Sequence, residues 1–119
     1  MSRFQEEVLR WCVTCFGSVI TRCKEERNHR FLEESLELVQ SLGCTKEEAL
    51  KLVEYVFSRP VGDPEQELGG VMVTAAALAN ANEMDMFRSG MVELKRVWTK
   101  VDQIRAKQAA KPKFSPLPQ

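Results

Sequence analysis

The sequence predicts an all-α protein, a helix bundle of about five helices. Apolar residues recur at three- and four-residue steps through most of the chain, which is the period of an amphipathic helix. No stretch alternates apolar and polar residues with the β-branched enrichment of a strand. Short loops separate the helical stretches, and such loops are typical of helix bundles.

The first two helices are predicted from their apolar stripes and their ends. The first runs from about Arg3 to the charged segment 24–27. The second begins near Asn28, a favourable N-cap residue, and ends at Gly43, since glycine commonly follows the last helical residue.

Capping residues mark the next two helices. Thr45 and Glu48 have the spacing of a capping box, which opens a third helix that runs to about Ser58. Asp63 is predicted to cap the fourth helix, with Pro64 at its first position, where proline is well tolerated.

The fourth helix is predicted to end near Asn82. From Leu68 to Ala79 its residues are apolar or small on every face, and a helix of that kind is expected to be buried among its neighbours. Asp85 can cap a last helix that extends to about Ala110.

The formal net charge of zero hides an uneven distribution. Residues 1–94 carry ten Lys or Arg against sixteen Asp or Glu, and residues 95–119 carry seven against one. Residues 1–110 form the predicted single domain, followed by a basic, proline-containing tail, 111–119. This tail has one aromatic residue, Phe114, and no groove-entering motif, so nucleic-acid binding is not expected.

Membrane insertion is not expected either. No segment approaches the ~20 consecutive apolar residues of a membrane span. The first residues do not resemble a signal peptide. We therefore expect a cytoplasmic protein.

The cysteines Cys12 and Cys15 are separated by two residues, as in thioredoxin-type redox motifs. They lie on the apolar stripe of the first predicted helix rather than after a strand. We therefore expect buried, reduced thiols that pack as small hydrophobic side chains. A redox or zinc-binding role for this pair is the alternative.

Three glutamates lie on the second helix, opposite its apolar arc: Glu33, Glu34 and Glu37. Like charges at this spacing disfavour a helix unless a positive group offsets them, which Arg30 could do in part. Glu67 stands at the entrance of the fourth helix. Two interpretations remain open. The carboxylates hold a divalent metal suited to oxygen ligands, such as Mg²⁺, or they are a solvated face and a favourable charge at a helix start.

At these residues the sequence resembles the MazG-like all-α nucleoside triphosphate pyrophosphohydrolases. Residues 33–37 read EESLE and residues 67–70 read ELGG, similar to the EExxE…ExxD signature of that family, and the order of helices agrees over residues 4–113. The resemblance implies the all-α pyrophosphohydrolase fold. It also implies Mg²⁺-dependent hydrolysis of a (d)NTP to the (d)NMP and pyrophosphate, with Mn²⁺ able to substitute.

The resemblance further implies roles for individual residues. Glu34, Glu37 and Glu67 would be metal ligands. Glu33 would be a further ligand, or the group that orients or deprotonates the attacking water. Members of the family assemble as dimers or tetramers, so a homo-oligomer is expected. Cationic residues should hold the phosphate oxygens, and the candidates on the basic last helix are Lys100, Arg105 and Lys107.

One position departs from the family signature, because Gly70 stands where the second motif ends in Asp. Either water or another carboxylate fills that metal position, or the chain works with fewer ions, or it no longer catalyses. The principal alternative is therefore a catalytically idle MazG-like nucleotide-binding or interaction protein. Gly69 and Gly70, inside a helix, also favour close approach of a backbone or ligand.

Overall fold

The computed structural model describes residues 1–110, which form helices joined by short connections. No strand occurs between residues 1 and 110, so the all-α prediction is confirmed, with six helices in this range rather than about five. The predicted tail, 111–119, lies outside the described residues. The helices are α1 (Arg3–Thr21), α2 (Lys24–Ser41), α3 (Lys46–Phe57), α4 (Pro64–Ala81), α5 (Met86–Trp98) and α6 (Val101–Ala110).

Helix α1 is interrupted near its C-terminal end. The hydroxyl of Ser2 caps it by accepting a hydrogen bond from the N–H of Gln5 at 3.2 Å. Gly17 has φ 76° and ψ 167°, a conformation that glycine adopts without the steric penalty of a Cβ. The helix is therefore kinked at Gly17 and ends at Thr21, a few residues before its predicted end.

Helix α2 begins at Lys24, before the predicted start at Asn28. The carbonyl of Cys23 accepts a hydrogen bond from the N–H of Arg27 at 3.0 Å, which closes the first helical turn. Two glutamates in that turn complement the positive end of the helix dipole. Asn28 therefore lies inside the helix, and its prediction as the N-cap was wrong.

The predicted caps of α3 and α4 are confirmed. The hydroxyl of Thr45 accepts from the N–H of Glu48 at 3.2 Å, and the Glu48 carboxylate accepts from the N–H of Thr45 at 2.9 Å. Asp63 accepts from the N–H of Gln66 at 3.0 Å, with Pro64 as the first helical residue. Each cap satisfies backbone donors that the helix itself leaves unpaired.

The last predicted helix is in fact two helices, α5 and α6. Asp85 caps α5 as predicted. At the end of α5, the hydroxyl of Thr99 donates to the carbonyl of Arg96 at 2.6 Å, and the N–H of Thr99 donates to the same carbonyl at 3.0 Å. The N–H of Lys100 donates to the carbonyl of Val97 at 3.0 Å. These bonds between residues three apart tighten the chain into a turn, so the prediction of one continuous helix was wrong.

The chain divides into two compact units. The first unit combines Met1–Glu37 with Met91–Gln119, of which residues up to 110 are described, and the second is Leu38–Gly90. The unit boundaries fall within α2 and α5.

In the first unit, α1 is held by contacts with α5 and α6. Helix α6 packs along α1, and the Nε of Arg105 donates to the carbonyl of Thr14 at 2.9 Å. The indole N–H of Trp11 donates to the carbonyl of Val97 at 3.3 Å, which ties α1 to α5. Hydrogen bonds to and from α1 thus anchor the helices on which the basic residues lie.

Few apolar side chains are buried. Between residues 1 and 110 the buried hydrophobic residues are Cys12, Cys15, Ala79 and Leu94. Phe57 of α3 is 85% exposed and Leu68 of α4 is 64% exposed. The prediction that α4 is buried among its neighbours is therefore wrong for the single chain, because Ala79 is its one buried residue and most of its other apolar side chains are exposed.

None of the helices between residues 1 and 110 is both long enough and apolar enough to cross a membrane.

The capping box predicts a specific loss of stability. We expect Thr45→Ala to lower the free energy of unfolding by about 1 kcal/mol, because the N–H groups at the start of α3 lose their side-chain partner. Urea denaturation followed by circular dichroism measures the change. The control is Thr74→Ala inside α4, where the Thr74 hydroxyl donates to carbonyls of its own helix, those of Gly70 at 2.9 Å and Val71 at 3.2 Å. Equal losses in the two variants would contradict the assignment.

Candidate functional site

The three glutamates of the first motif lie on α2, in the first unit. Glu33 is partly buried, whereas Glu34 and Glu37 are exposed. Residues three and four apart on a helix are neighbours on its surface. The helix itself therefore brings Glu33 and Glu34 within one turn of Glu37.

The electrostatic environment of Glu34 extends beyond α2. Although Glu34 is exposed as a residue, the partial removal of its carboxyl group from water is the largest effect that raises its pKa above the ordinary value. Repulsion by negative charges adds to it, and these charges belong, in order, to Glu37, Glu33 and Glu93. Arg96 partly offsets the repulsion. Since Glu93 and Arg96 lie on α5, the structure assembles this cluster from two helices.

Glu93 and Arg96 form a two-pronged ion pair. The Nε of Arg96 donates to Oε1 of Glu93 at 2.8 Å, and the Nη2 donates to Oε2 at 2.7 Å. These hydrogen bonds lower the pKa of Glu93 and raise that of Arg96. Neither residue was predicted from the sequence as part of the site. Their spacing of three residues on a helix indicates an ion pair, but nothing local in the sequence places them beside α2.

A second set of charges runs along α2 itself. Glu26 is 3% exposed and is the only buried charged residue between residues 1 and 110. The Nε of Arg30 lies 3.8 Å from Oε1 of Glu26, and its Nη1 donates to Oε1 of Glu33 at 3.1 Å. Arg30 thus supplies the positive group that the like charges of α2 require, and it fixes one oxygen of Glu33.

Glu67, the predicted ligand from the second motif, lies in the second unit. It occupies the first turn of α4 and is exposed, and its N–H donates to the carbonyl of Asp63 at 2.9 Å. A Cβ on Gly69 or Gly70 would meet no heavy atom within 4 Å. The close backbone approach predicted at these two glycines is therefore not found within residues 1–110.

The predicted phosphate-binding residues lie in or next to α6. Lys100 is in the turn that precedes α6, and Lys107 is exposed on it. Arg105 already donates a hydrogen bond to α1 through its Nε, so part of its guanidinium has a structural role. The cation whose charge acts on Glu34 is instead Arg96 of α5.

The donors suit a hard divalent cation in their chemistry. Every candidate ligand is a carboxylate, and Mg²⁺ prefers oxygen ligands. Between residues 1 and 110, no group of three or more His, Cys, Asp or Glu side chains is arranged to hold a metal ion. The residues thus fit Mg²⁺ by donor type, while the side chains in this arrangement do not enclose an ion.

Cys12 and Cys15 are buried and free, as predicted. Burial raises the pKa of both thiols. For Cys12 this effect exceeds the opposing influence of the Arg27 guanidinium. A reactive redox cysteine has a lowered thiol pKa, so the environment of this pair is that of packed hydrophobic side chains.

No family model, no curated protein and no solved structure matches this chain. The MazG-like resemblance therefore rests on the two carboxylate motifs and on the order of the helices.

The raised pKa of Glu34 predicts a gain in stability when its charge is removed. We expect Glu34→Gln to raise the free energy of unfolding at pH 7 by less than about 1 kcal/mol, since exposed charges interact weakly. The folded protein keeps the Glu34 proton to higher pH than the unfolded chain does. The stability that protonation of Glu34 contributes is thus present at low pH and is lost as pH rises through its raised pKa.

Urea denaturation at pH 7 and at pH 4 measures this effect. The difference between the variant and the native chain should shrink at pH 4, where Glu34 is closer to fully protonated. Glu25→Gln is the matched control on the same helix, and it should bring no gain because Glu25 complements the dipole at the start of α2. A loss of stability in Glu34→Gln at pH 7 would refute the proposed repulsion.

Proposed function

We propose that this chain is a Mg²⁺-dependent nucleoside triphosphate pyrophosphohydrolase that converts a (d)NTP to the (d)NMP and pyrophosphate. The observation that carries the proposal is the environment of Glu34, whose pKa is raised first by desolvation and then by the negative charges of Glu37, Glu33 and Glu93. A divalent cation stabilises carboxylates held together in this way. The MazG-like motif at the same residues supplies the reaction class.

In this proposal Glu34, Glu37 and Glu67 hold the metal ion, for which Mn²⁺ can substitute. When bound, the ion offsets the charge of the triphosphate and acidifies a bound water. Glu33 orients the attacking water or accepts its proton, and the α–β phosphoanhydride bond is the bond that breaks. The ion pair with Arg30 at 3.1 Å supports this role, because it holds the Glu33 carboxylate in a defined position.

Arg96 is the cation that we propose for the phosphate oxygens nearest the metal ligands. Its guanidinium already binds a carboxylate in the two-pronged geometry that also suits phosphate. A bound phosphate would accept the hydrogen bonds that Arg96 now donates to Glu93. Lys100, Arg105 and Lys107 remain candidates for the outer phosphates.

Product analysis tests the reaction. We expect the purified chain with Mg²⁺ or Mn²⁺ to release monophosphate and pyrophosphate from at least one (d)NTP, as measured by ion-exchange chromatography. Glu37→Gln should reduce turnover by more than about 100-fold while the helical circular dichroism spectrum is retained, since even residues behind the metal ligands typically contribute ~10–100-fold. The matched control is Glu54→Gln on α3, outside both motifs. An undiminished rate in Glu37→Gln would refute the site.

The second candidate function is nucleotide binding or protein interaction without turnover. Gly70 favours it, because the space around this glycine leaves room for a larger side chain and the missing Asp is not imposed by packing. The variant Gly70→Asp separates the two functions. An idle native chain and an active Gly70→Asp variant would support the second function, whereas turnover by the native chain would exclude it.

We also propose that the chain forms a homodimer or homotetramer. Helices α3 and α4 expose a large set of apolar side chains, and extended apolar surfaces of this kind mark protein interfaces. The exposed apolar residues of the two helices are Leu50, Leu52, Val53, Tyr55, Val56, Phe57, Leu68, Val71, Met72 and Val73.

We propose a cytoplasmic location as well, because the four free cysteines fit the reducing environment of the cytoplasm.

Sedimentation equilibrium tests the assembly. We expect a native mass two or four times that of the 13.6 kDa chain, and a shift towards the single-chain mass in Val73→Glu, because a charge in an apolar interface is strongly unfavourable. Val19 is 77% exposed but lies outside α3 and α4, so Val19→Glu is the control and should keep the native mass. A native chain that is monomeric at micromolar concentration would refute the proposal.

A further inference from the structure

A groove lies between α1 and α5, and all the residues that line it belong to the first unit. Its volume is about 650 Å³, within the range of about 300–1,000 Å³ that small-molecule sites occupy. Most of the α5 side chains that line it recur at three- and four-residue steps, so they share one side of that helix. The lining residues include Glu7 and Arg10 of α1 and Met91, Leu94, Lys95 and Trp98 of α5.

The groove is separate from the carboxylate cluster around Glu34. Glu93 and Arg96, whose charges act on Glu34, are not among the residues between 1 and 110 that line the groove. Because an α-helix turns by about 100° per residue, Glu93 lies about 200° around α5 from Met91, and Arg96 lies about 200° from Trp98. The groove and the carboxylate cluster therefore use different sides of α5.

The floor of the groove is apolar and includes one aromatic ring. Leu94 is buried, Met91 is half exposed, and Trp98 keeps 40% of its surface exposed. An exposed indole ring can stack with a flat ring of a ligand, and such aromatic pairs attract each other beyond the effect of burial alone. The floor therefore suits the aromatic body of a small molecule.

The charged side chains along the groove leave it with a positive character. The carboxylate among them, that of Glu7, already accepts a hydrogen bond from the Nε of Arg3 at 3.3 Å. Arg10 and Lys95 are exposed, and within residues 1–110 no ion pair engages the side chain of either. Two cations thus remain available beside the apolar floor, and cations of this kind form strong hydrogen bonds with carboxylate and phosphate groups.

We propose that this groove binds a small aromatic acid, whose ring packs against Trp98 and Met91 and whose carboxylate or phosphate group is bound by Arg10 and Lys95. An apolar pocket with a few charged groups that fix the orientation of the ligand is typical of small-molecule sites. The groove contains none of the glutamates proposed as metal ligands, so binding requires no divalent ion. The inference therefore goes beyond the proposed hydrolase activity and does not rest on it.

Titration of the full chain with naphthoate, in the absence of metal ions, tests this inference. In ¹H–¹⁵N NMR spectra we expect the amide signals of residues 7–10 and 91–98 to shift and to saturate together. Naphthyl phosphate should shift the same signals, since it supplies the same combination of ring and anion. Acetate lacks the ring and naphthyl methanol lacks the charge, so each should bind at least about tenfold more weakly.

Two results of the titration would contradict the inference. One is the absence of any saturable shift in residues 91–98. The other is a shift of similar size along α4, whose apolar side chains are exposed in the second unit, because the ring would then associate with any apolar surface.

Charge-removing variants locate the anion. Arg10→Gln and Lys95→Gln should each weaken naphthoate binding about tenfold, the effect of losing one hydrogen bond to a charged group. Both side chains are exposed, so the helical circular dichroism spectrum should be retained. The matched control is Lys24→Gln on α2, which removes one exposed positive charge of the same unit outside the groove and should leave the affinity unchanged. Equal affinities in all three variants would refute the role of Arg10 and Lys95.

The titration also separates this inference from the proposed enzyme and the proposed oligomer. Glu37→Gln should bind naphthoate as the native chain does, whether or not it has lost turnover. If a second copy of the chain covers the groove, dilution of the native chain will shift the signals of residues 91–98 and naphthoate will not, and the inference is then wrong.

Discussion

Amphipathic helices must remove their apolar faces from water, and in this chain that requirement is met in only a few places. Cys12, Cys15 and Leu94 are buried in the first unit, and Ala79 is the corresponding residue of the second. A helix as short as α3, with 12 residues, is marginal in water and depends on packing for its stability. In the proposed oligomer, a second copy of the chain would complete the burial of the exposed apolar faces of α3 and α4.

Helix α4 would link assembly to chemistry in the proposed enzyme. Its body carries exposed apolar residues such as Met72 and Val73, whereas its first turn carries Glu67. A partner that covers the body would also stabilise the turn that holds the candidate ligand, since any species that binds only the folded state stabilises it. Oligomerisation and metal binding would then depend on the same helix.

Features of short range were predictable from the sequence, and features that depend on distant contacts were not. The capping box at Thr45 and the cap at Asp63 lie within four residues of the groups they bind. The turn between α5 and α6 was missed, because it depends on the Thr99 hydroxyl competing for a backbone carbonyl in an otherwise helical pattern. The kink at Gly17 was not predicted, because the spacing of apolar residues in the sequence does not change at this glycine.

The residues of the candidate site show the same contrast between short-range features, which were predictable, and contacts between distant residues, which were not. The motif identified the glutamates of α2, whose mutual proximity follows from helical spacing alone. Glu93 and Arg96 were missed because only the packing of α5 brings their charges to Glu34.

The balance of charge around Glu34 bears on how a nucleotide could reach the site. The carboxylates of Glu37, Glu33 and Glu93 act on Glu34 against the single positive charge of Arg96, so the negative charges outnumber the positive ones there. A bare triphosphate would be repelled by such a surface, because like charges at short range disfavour binding. A divalent cation reverses that preference, so in the proposed enzyme the metal is needed for substrate binding as well as for hydrolysis. The acidic residues in question are Glu33, Glu34, Glu37 and Glu93. The repulsion that adds to the effect of desolvation on the pKa of Glu34 is then the same property that makes nucleotide binding depend on the ion.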